Sequence, residues 1–214
     1  MTKPYDFIAI GDTVTDAFIR LKEASVHCNI NREKCEICMR FADKIPYENV
    51  YVVPAVGNSA NAAVAAARLG LQSALVSNIG DDYFGTECLN ALEAEKVATE
   101  FVKINKGAKT NYHYVLWYED DRTILIKHEE YHYTLPDVNS PRWIYCSSLG
   151  ENSLEFHDEF EKLFYETENM FFYPVGSAQG LDSVEIKHID LTKSIENENP
   201  ICFRNTDGKV KLTL

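Results

Sequence analysis

In the first half of the chain, short unbroken apolar runs alternate with longer segments whose apolar positions recur at helical spacing, the pattern of strands alternating with helices. Tyr5 to Ile10 reads as a buried first strand that ends in Gly11-Asp12 and is followed by a second carboxylate, Asp16. Gly57 to Gly70 joins a polar turn to an alanine-packed stretch. Alanine has the highest helix propensity and little bulk, so this stretch predicts a thin helix able to lie close against a sheet. Asn58 or Ser59 is expected to cap its start and Gly70 to close its end in the left-handed conformation. A second strand is expected over Ser73 to Ile79, then the turn Gly80-Asp81-Asp82-Tyr83-Phe84-Gly85 and an amphipathic helix to about Val97.

Later in the chain, Asn111 to Tyr118 and Thr123 to His128 carry the β-branched and aromatic content of a hairpin, with Glu119 to Arg122 as its turn. Strands over Trp143 to Ser148 and Met170 to Tyr173 flank a helix expected from about Ser153 to Glu166. This alternation predicts an α/β, Rossmann-like, mostly parallel sheet flanked by helices, with right-handed crossovers. From about residue 176 the text turns polar and acidic, and only a short hairpin around Asn205 to Gly208 is expected there. The expected organisation is therefore an α/β part over 1–175 and a divergent tail over 176–214.

Composition narrows the function classes. With 33 acidic against 21 basic residues the net charge is -12, and no basic stripe is present, which argues against a nucleic-acid backbone as partner. No apolar run reaches the length of about 18 to 20 residues that spans a bilayer, and the N-terminus enters a strand without a signal-peptide core. The expectation is a cytoplasmic protein with no membrane partner.

Candidate chemistry sits at the turns. The turn before the alanine helix directs Asn58 and Asn61 at a common spot that suits a polyhydroxylated ligand. In parallel sheets ligands collect beyond the carboxyl ends of the strands, where Asp16, Gly57 and Gly150-Glu151 are expected. Asp12 and Glu151 are weaker candidates for polar contacts. His27, Cys28, Cys35 and Cys38 form a weak candidate metal cluster, because one Cys-x-x-Cys pair without a second is a poor zinc signal. A structural disulfide is disfavoured for a cytosolic chain. Cys88 and Cys146 read as buried free thiols. His113, His128 and His132 read as solvent-facing or cross-strand residues of the hairpin, and the tyrosines and Trp117 beside them suit packing or stacking on a sugar or base.

Gly57-Asn58-Ser59-Ala60-Asn61-Ala62-Ala63 through Leu69-Gly70, followed by Ile79-Gly80-Asp81-Asp82 and Gly85, resembles the first signature of the ribokinase-like (PfkB-type) carbohydrate kinases. The resemblance is specific from about Tyr5 to Val97 and looser to about Tyr173. It implies that Asp16, matching the family's aspartate, holds sugar hydroxyls, and that Gly57, Asn58 and Asn61 lie on the substrate-facing turn. It also implies a β-strand lid over the sugar, from about 17–54 and 110–133; a plain edge hairpin is the alternative, and the aromatics of these strands could equally make a homodimer face. ATP and Mg²⁺ are the cofactors implied, with a small sugar or nucleoside as substrate. One departure is Val56, where the family has a glycine.

The family's second signature, Asp-Thr-x-Gly-Ala-Gly-Asp, supplies the anion cradle and the base for phosphoryl transfer, and these 214 residues contain no Gly-x-Gly at all. Gly80 to Gly85 is no P-loop, since Thr86-Glu87 follows it and Asp81 and Asp82 would repel phosphate. The chain alone is expected to be inactive. The alternative is a non-catalytic sugar-binding or regulatory protein that dimerises through the lid.

Overall fold

The structure, a computed structural model, describes residues 5–29, 35–139, 141–147, 149–153, 155, 156, 159, 170–172, 202–206 and 209–213. The chain divides into two compact units, Met1–Tyr173 and Pro174–Leu214. In the first unit, β1 (Phe7–Ile10), β2 (Val14–Leu21), β3 (Ser25–Cys28), β4 (Cys35–Cys38) and β5 (Tyr47–Val56) precede helix α1 (Asn58–Arg68). Then come β6 (Ser73–Gly80), α2 (Tyr83–Ala94), β7 (Val102–Asn105), β8 (Tyr112–Tyr118), β9 (Asp121–Leu125), β10 (Trp143–Cys146), a 3-10 turn (Glu151–Ser153) and β11 (Met170–Phe172).

Five of these strands form a parallel sheet in the order β11-β10-β1-β6-β7. All eight residues of β6 are buried, as a strand covered on both faces requires. On one face Ala9, Leu75 and Ile79 pack against Ala60 and Ala63 of α1 and Cys88 and Leu92 of α2. On the other, Ile8, Ile10, Val76, Ile144 and Cys146 pack under Tyr131, Tyr133, Val138 and Phe156. The expected helix from Ser153 to Glu166 lies mostly outside the described residues.

The helix ends differ in part from expectation. Gly57, not Asn58 or Ser59, is the N-cap of α1, and it makes no side-chain cap. Its φ is +105°, and an added Cβ would stand 3.0 Å from the Asp12 carbonyl, so close approach and left-handed backbone both select glycine. Ser59 is buried in the first turn, where its hydroxyl donates to that same carbonyl at 3.0 Å. At the other end Gly70 (φ +90°) donates to Ala67 and Leu71 to Ala66, a complete Schellman closure. The second helix stops at Ala94, short of Val97, with Lys96 taking the left-handed turn.

The Gly80 to Gly85 turn is a structural knot. Asp82 caps α2 by accepting from the Gly85 amide at 2.9 Å, and also accepts from the Thr110 hydroxyl at 2.6 Å and amide at 3.1 Å. Asp81 accepts from the Gly107 amide at 2.9 Å. Burial opposes ionisation of Asp82, but these hydrogen bonds outweigh it and hold the carboxyl below its ordinary value. Alanine at position 80 would place Cβ 2.5 Å from the Ala108 carbonyl oxygen, and at 85 within 2.3 Å of the Gly80 carbonyl oxygen.

The second sheet of this unit, in the order β5-β2-β8-β9, is built from strands of the segments expected to form a lid. Its central pair, β2 and β8, is parallel, and both outer pairs are antiparallel. The hairpin turn is tighter than expected: Tyr118 pairs with Asp121 across Glu119 and Asp120, so Asp121 and Arg122 belong to β9. Asp16, read as the end of the first strand, belongs instead to β2, beyond the loop Gly11–Thr13.

Strands β3 and β4 form an arm that corrects the cysteine reading. Their register sets Cys28 directly opposite Cys35, and the two are joined in a disulfide. Side chains alternate along a strand, so His27 and Cys38 fall on the other face of the arm and the four residues do not converge. Among the described residues no group of three or more His, Cys, Asp or Glu is placed to hold a metal ion. Cys88 and Cys146 are buried free thiols, as read, and burial raises the Cys146 thiol to about 12.

In the second unit β12 (Cys202–Thr206) and β13 (Lys209–Thr213) form an antiparallel hairpin where one was expected. Its turn residues, Asp207 and Gly208, lie outside the described residues. No helix among the described residues is long and apolar enough to cross a membrane.

Candidate functional site

Carboxylates, imidazoles and a tyrosine converge where the carboxyl ends of β1 and β10 meet the first turn of α1. The loop after β1 is fixed first: the Thr13 amide donates to Ser77 at 3.0 Å and its hydroxyl to the Val56 carbonyl at 3.2 Å. This sets Asp12 against Gly57. The Asp12 carboxylate, 5 % exposed, accepts from the Tyr133 hydroxyl at 2.9–3.0 Å and faces His128 Nδ1 at 3.5 Å. Tyr133 in turn accepts from the Gly150 amide at 3.0 Å. Burial first, and then the Asp12 charge, push the Tyr133 hydroxyl far above the ordinary phenol value, so it remains a donor.

Parallel pairing of β2 with β8 places Asp16 beside His113, with Asp16 Oδ1 at 3.5 Å from His113 Nδ1. The rings of His113 and His128 meet edge to face at 5.3 Å between centroids. The two carboxylates are thus linked through two imidazoles. Asn58 and Asn61 stand exposed at the start of α1. Glu151 opens the 3-10 turn directly after Gly150, at the same end of the sheet.

Hydrogen bonding is incomplete here. Among the described residues, the buried side-chain atoms without a hydrogen-bond partner are Asp16 Oδ1, Asn111 Nδ2, His113 Nε2, Ser147 Oγ and Ser73 Oγ. All but Ser73, which starts β6, are tied to this end of the molecule. Asn111 accepts from the Thr15 amide through its carbonyl, and the Ser147 amide donates to the Ile10 carbonyl. Unsatisfied buried polar groups are few in folded proteins, and each requires a physical reason.

The sequence reading singled out Asp12, Asp16, Gly57, Asn58, Asn61 and Glu151. From sequence, His113 and His128 are solvent-facing or cross-strand hairpin residues, and Tyr133 suits packing or stacking on a sugar or base. The structure sets both histidines against the carboxylates and gives Tyr133 a shared role, core residue and donor to Asp12. A parallel pairing between β2 and β8, far apart in sequence, leaves no local mark that would reveal this.

The pfkB family carbohydrate kinase profile matches residues 21–157. A ribokinase of Bacillus subtilis is 39% identical over 70 residues, which are 33% of this chain and 24% of that protein. Fructokinase-2 of Solanum lycopersicum is 43% identical over 54 residues, 25% of this chain and 16% of the relative. The chain thus aligns with about a quarter or less of these two relatives. Among solved structures, Arabidopsis thaliana ribokinase complexed with ribose and ATP superposes with a TM-score of 0.63 at 15% identity, covering 82% of this chain and 55% of that one. Halothermothrix orenii fructokinase gives a TM-score of 0.61 at 19% identity, covering 78% and 56%. These neighbours share the fold, and with the profile spanning more than half of its residues the chain belongs to the pfkB family of carbohydrate kinases.

Proposed function

We propose that this chain forms the acceptor-binding part of an ATP-dependent sugar or nucleoside kinase. In this reading Asp16 receives acceptor hydroxyls, helped by Gly57, Asn58 and Asn61 at the turn, with Asp12 and Glu151 as weaker contacts. The observation that carries it is that Asp16, paired with His113 across β2 and β8, and Asn111 and Ser147 at the strand ends each hold a buried polar atom without a hydrogen-bond partner. Hydroxyl groups of a polyol donate and accept at once, which is the chemistry such a set lacks. In this reading the β5-β2-β8-β9 sheet serves as a lid that excludes water when the acceptor enters.

Phosphoryl transfer would use ATP and Mg²⁺, as family membership implies. Among the described residues there is no three-ligand metal cluster, and the sequence offers no Gly-x-Gly cradle. Lacking a Gly-x-Gly cradle for the transferred phosphate, the chain alone is proposed to bind an acceptor without turning it over, in a cytoplasmic setting. Exposed Tyr51, Val52, Tyr114, Ile124 and Leu125 on the lid strands favour a homodimer through that sheet.

Thermal stabilisation and saturation-transfer NMR with D-ribose, D-fructose and adenosine test the binding. At least one of them should bind, and Asp16→Asn should weaken it by about tenfold or more. ADP release that depends on an added sugar would refute the claim of inactivity, and equal binding by the Asp16 variant would remove Asp16 from the site.

A further inference from the structure

Independently of any acceptor, we infer that the Cys28–Cys35 bond is a site of thiol–disulfide exchange, at which a low-molecular-weight thiol opens the β3–β4 arm while the rest of the first unit stays folded. The placement of the arm carries this. Among the described strands, β3 and β4 pair only with each other. All four residues of β3 are exposed, and so are Cys35 and Glu36 of β4. An isolated two-stranded hairpin is marginally stable at best in water, so the covalent bond is what holds this one closed.

The bond is open to attack, and the damage from losing it is confined. Exposed disulfides are the readily reduced ones, whereas Cys88 and Cys146, both fully buried, are out of reach of a thiol in solvent. The arm joins β2 to β5, and these two strands keep their own pairing from Val14 with Val56 to Leu21 with Tyr47. At the base of the arm Arg20 and Glu48 add an ion pair at 3.0 Å. Opening the arm therefore stops at Leu21 and Tyr47. With a sequence separation of 7, the bond also constrains the unfolded chain less than a long-range bridge would. In the cytoplasmic setting proposed above, disulfides that form and break are the kind that occur.

Glutathione represents this class of reagent. Its thiolate attacks one of the two sulfurs, the S–S bond breaks, and the other cysteine leaves as a thiolate that takes up the proton given up by the attacking thiol. A second glutathione attacks the mixed disulfide in the same way, releasing the remaining cysteine as a thiol and forming glutathione disulfide. Two electrons and two protons thus pass from two glutathione molecules to the chain, and glutathione disulfide drives the reverse. Cys38 stands on the other face of the arm with its Sγ 4.0 Å from the Glu36 carbonyl oxygen, so in the closed arm the exchange belongs to Cys28 and Cys35.

For the test, the full chain is held in glutathione buffers of rising reduced-to-oxidised ratio, alkylated with N-ethylmaleimide and mapped by peptide mass spectrometry, with amide hydrogen exchange followed in parallel. Cys28 and Cys35 should pass together from protected to alkylated while Cys88 and Cys146 stay protected, and they should close again when glutathione disulfide is restored. On reduction, exchange over β3 and β4 should quicken by about tenfold or more and stay unchanged over β1, β6 and α1. A bond that resists reduced glutathione in the folded chain, yet yields once urea is added, would make the disulfide a structural staple and overturn the inference. Alkylation of Cys88 and Cys146 in step with Cys28 and Cys35, or arm exchange unmoved by reduction, would overturn it equally. None of these readouts involves an acceptor, so this inference and the acceptor site fail separately.

Discussion

Two acidic turns in this fold use the same residue types to opposite ends. In the knot at Gly80 to Gly85, the carboxylates of Asp81 and Asp82 are bonded to backbone amides and to the Thr110 hydroxyl, all supplied by the chain. At the candidate site, Asp12 to Asp16, Asp16 Oδ1 has no hydrogen-bond partner and the His113 imidazole is 3.5 Å away. The difference teaches that a carboxylate completed by its own chain builds structure. One left incomplete against a buried wall is available to a ligand. The knot lies within residues 21–157 matched by the family profile, whereas the turn at Asp12 to Asp16 lies just ahead of them.

The largest effect that would break this comparison lies in the knot. Gly85→Ala forces Cβ within 2.3 Å of the Gly80 carbonyl oxygen and 2.9 Å of the Thr110 hydroxyl oxygen, so neighbouring backbone must shift. A loss of about 3 kcal/mol or outright misfolding is expected, seen in urea denaturation as a lowered midpoint. An unchanged midpoint would mean that the close approach imposes nothing.

Next comes Asp82→Ala, which removes a helix cap and leaves the Thr110 donors unpaired. A cost of about 2 kcal/mol is expected, roughly 4–8 °C in Tm. Because the folded carboxyl titrates below its ordinary value, its contribution is present above the unfolded pKa of about 4 and fades as pH falls through the folded value. Unmodified protein should therefore lose more stability on acidification below about pH 4 than Asp82→Asn does. Parallel acid unfolding curves would contradict that.

In the pocket the balance reverses. Asp16→Asn should leave stability within about 0.5 kcal/mol, because its carboxylate gains little from the chain, while acceptor affinity collapses. A Tm drop comparable to that of Asp82→Ala would place Asp16 with the scaffold. The smallest effect is expected from Cys28→Ser. Its disulfide closes only the β3–β4 arm, with a sequence separation of 7, so hydrogen exchange should quicken in that arm while the global Tm stays put.

Much of the fold was legible because burial on both faces writes continuous apolar runs, as in Ser73 to Ile79, and because alanine packing and Gly70 mark a thin, capped helix. The Gly57 turn was legible in outline, though not as the cap, since only the close approach of the Asp12 carbonyl distinguishes it from Asn58. The histidines were not legible. His113 gains its meaning from Asp16, ninety-seven positions away, through a parallel strand pair that alternation cannot announce. The disulfide was likewise a matter of register, which sets Cys28 against Cys35 and turns His27 and Cys38 away.

A Cβ at Gly57 would stand 3.0 Å from the Asp12 carbonyl, Ser59 is bonded to that carbonyl, and Thr13 is bonded to Val56. The main chain at the pocket floor is in this way a fixed mount, while the side chains at 58 and 61 project from it with no part in holding it together. Such a division lets selection exchange the reading heads one at a time without disturbing the mount. A new acceptor then becomes reachable by single substitutions at 58 or 61, whereas insertions between positions 11 and 14 would dismantle the floor itself.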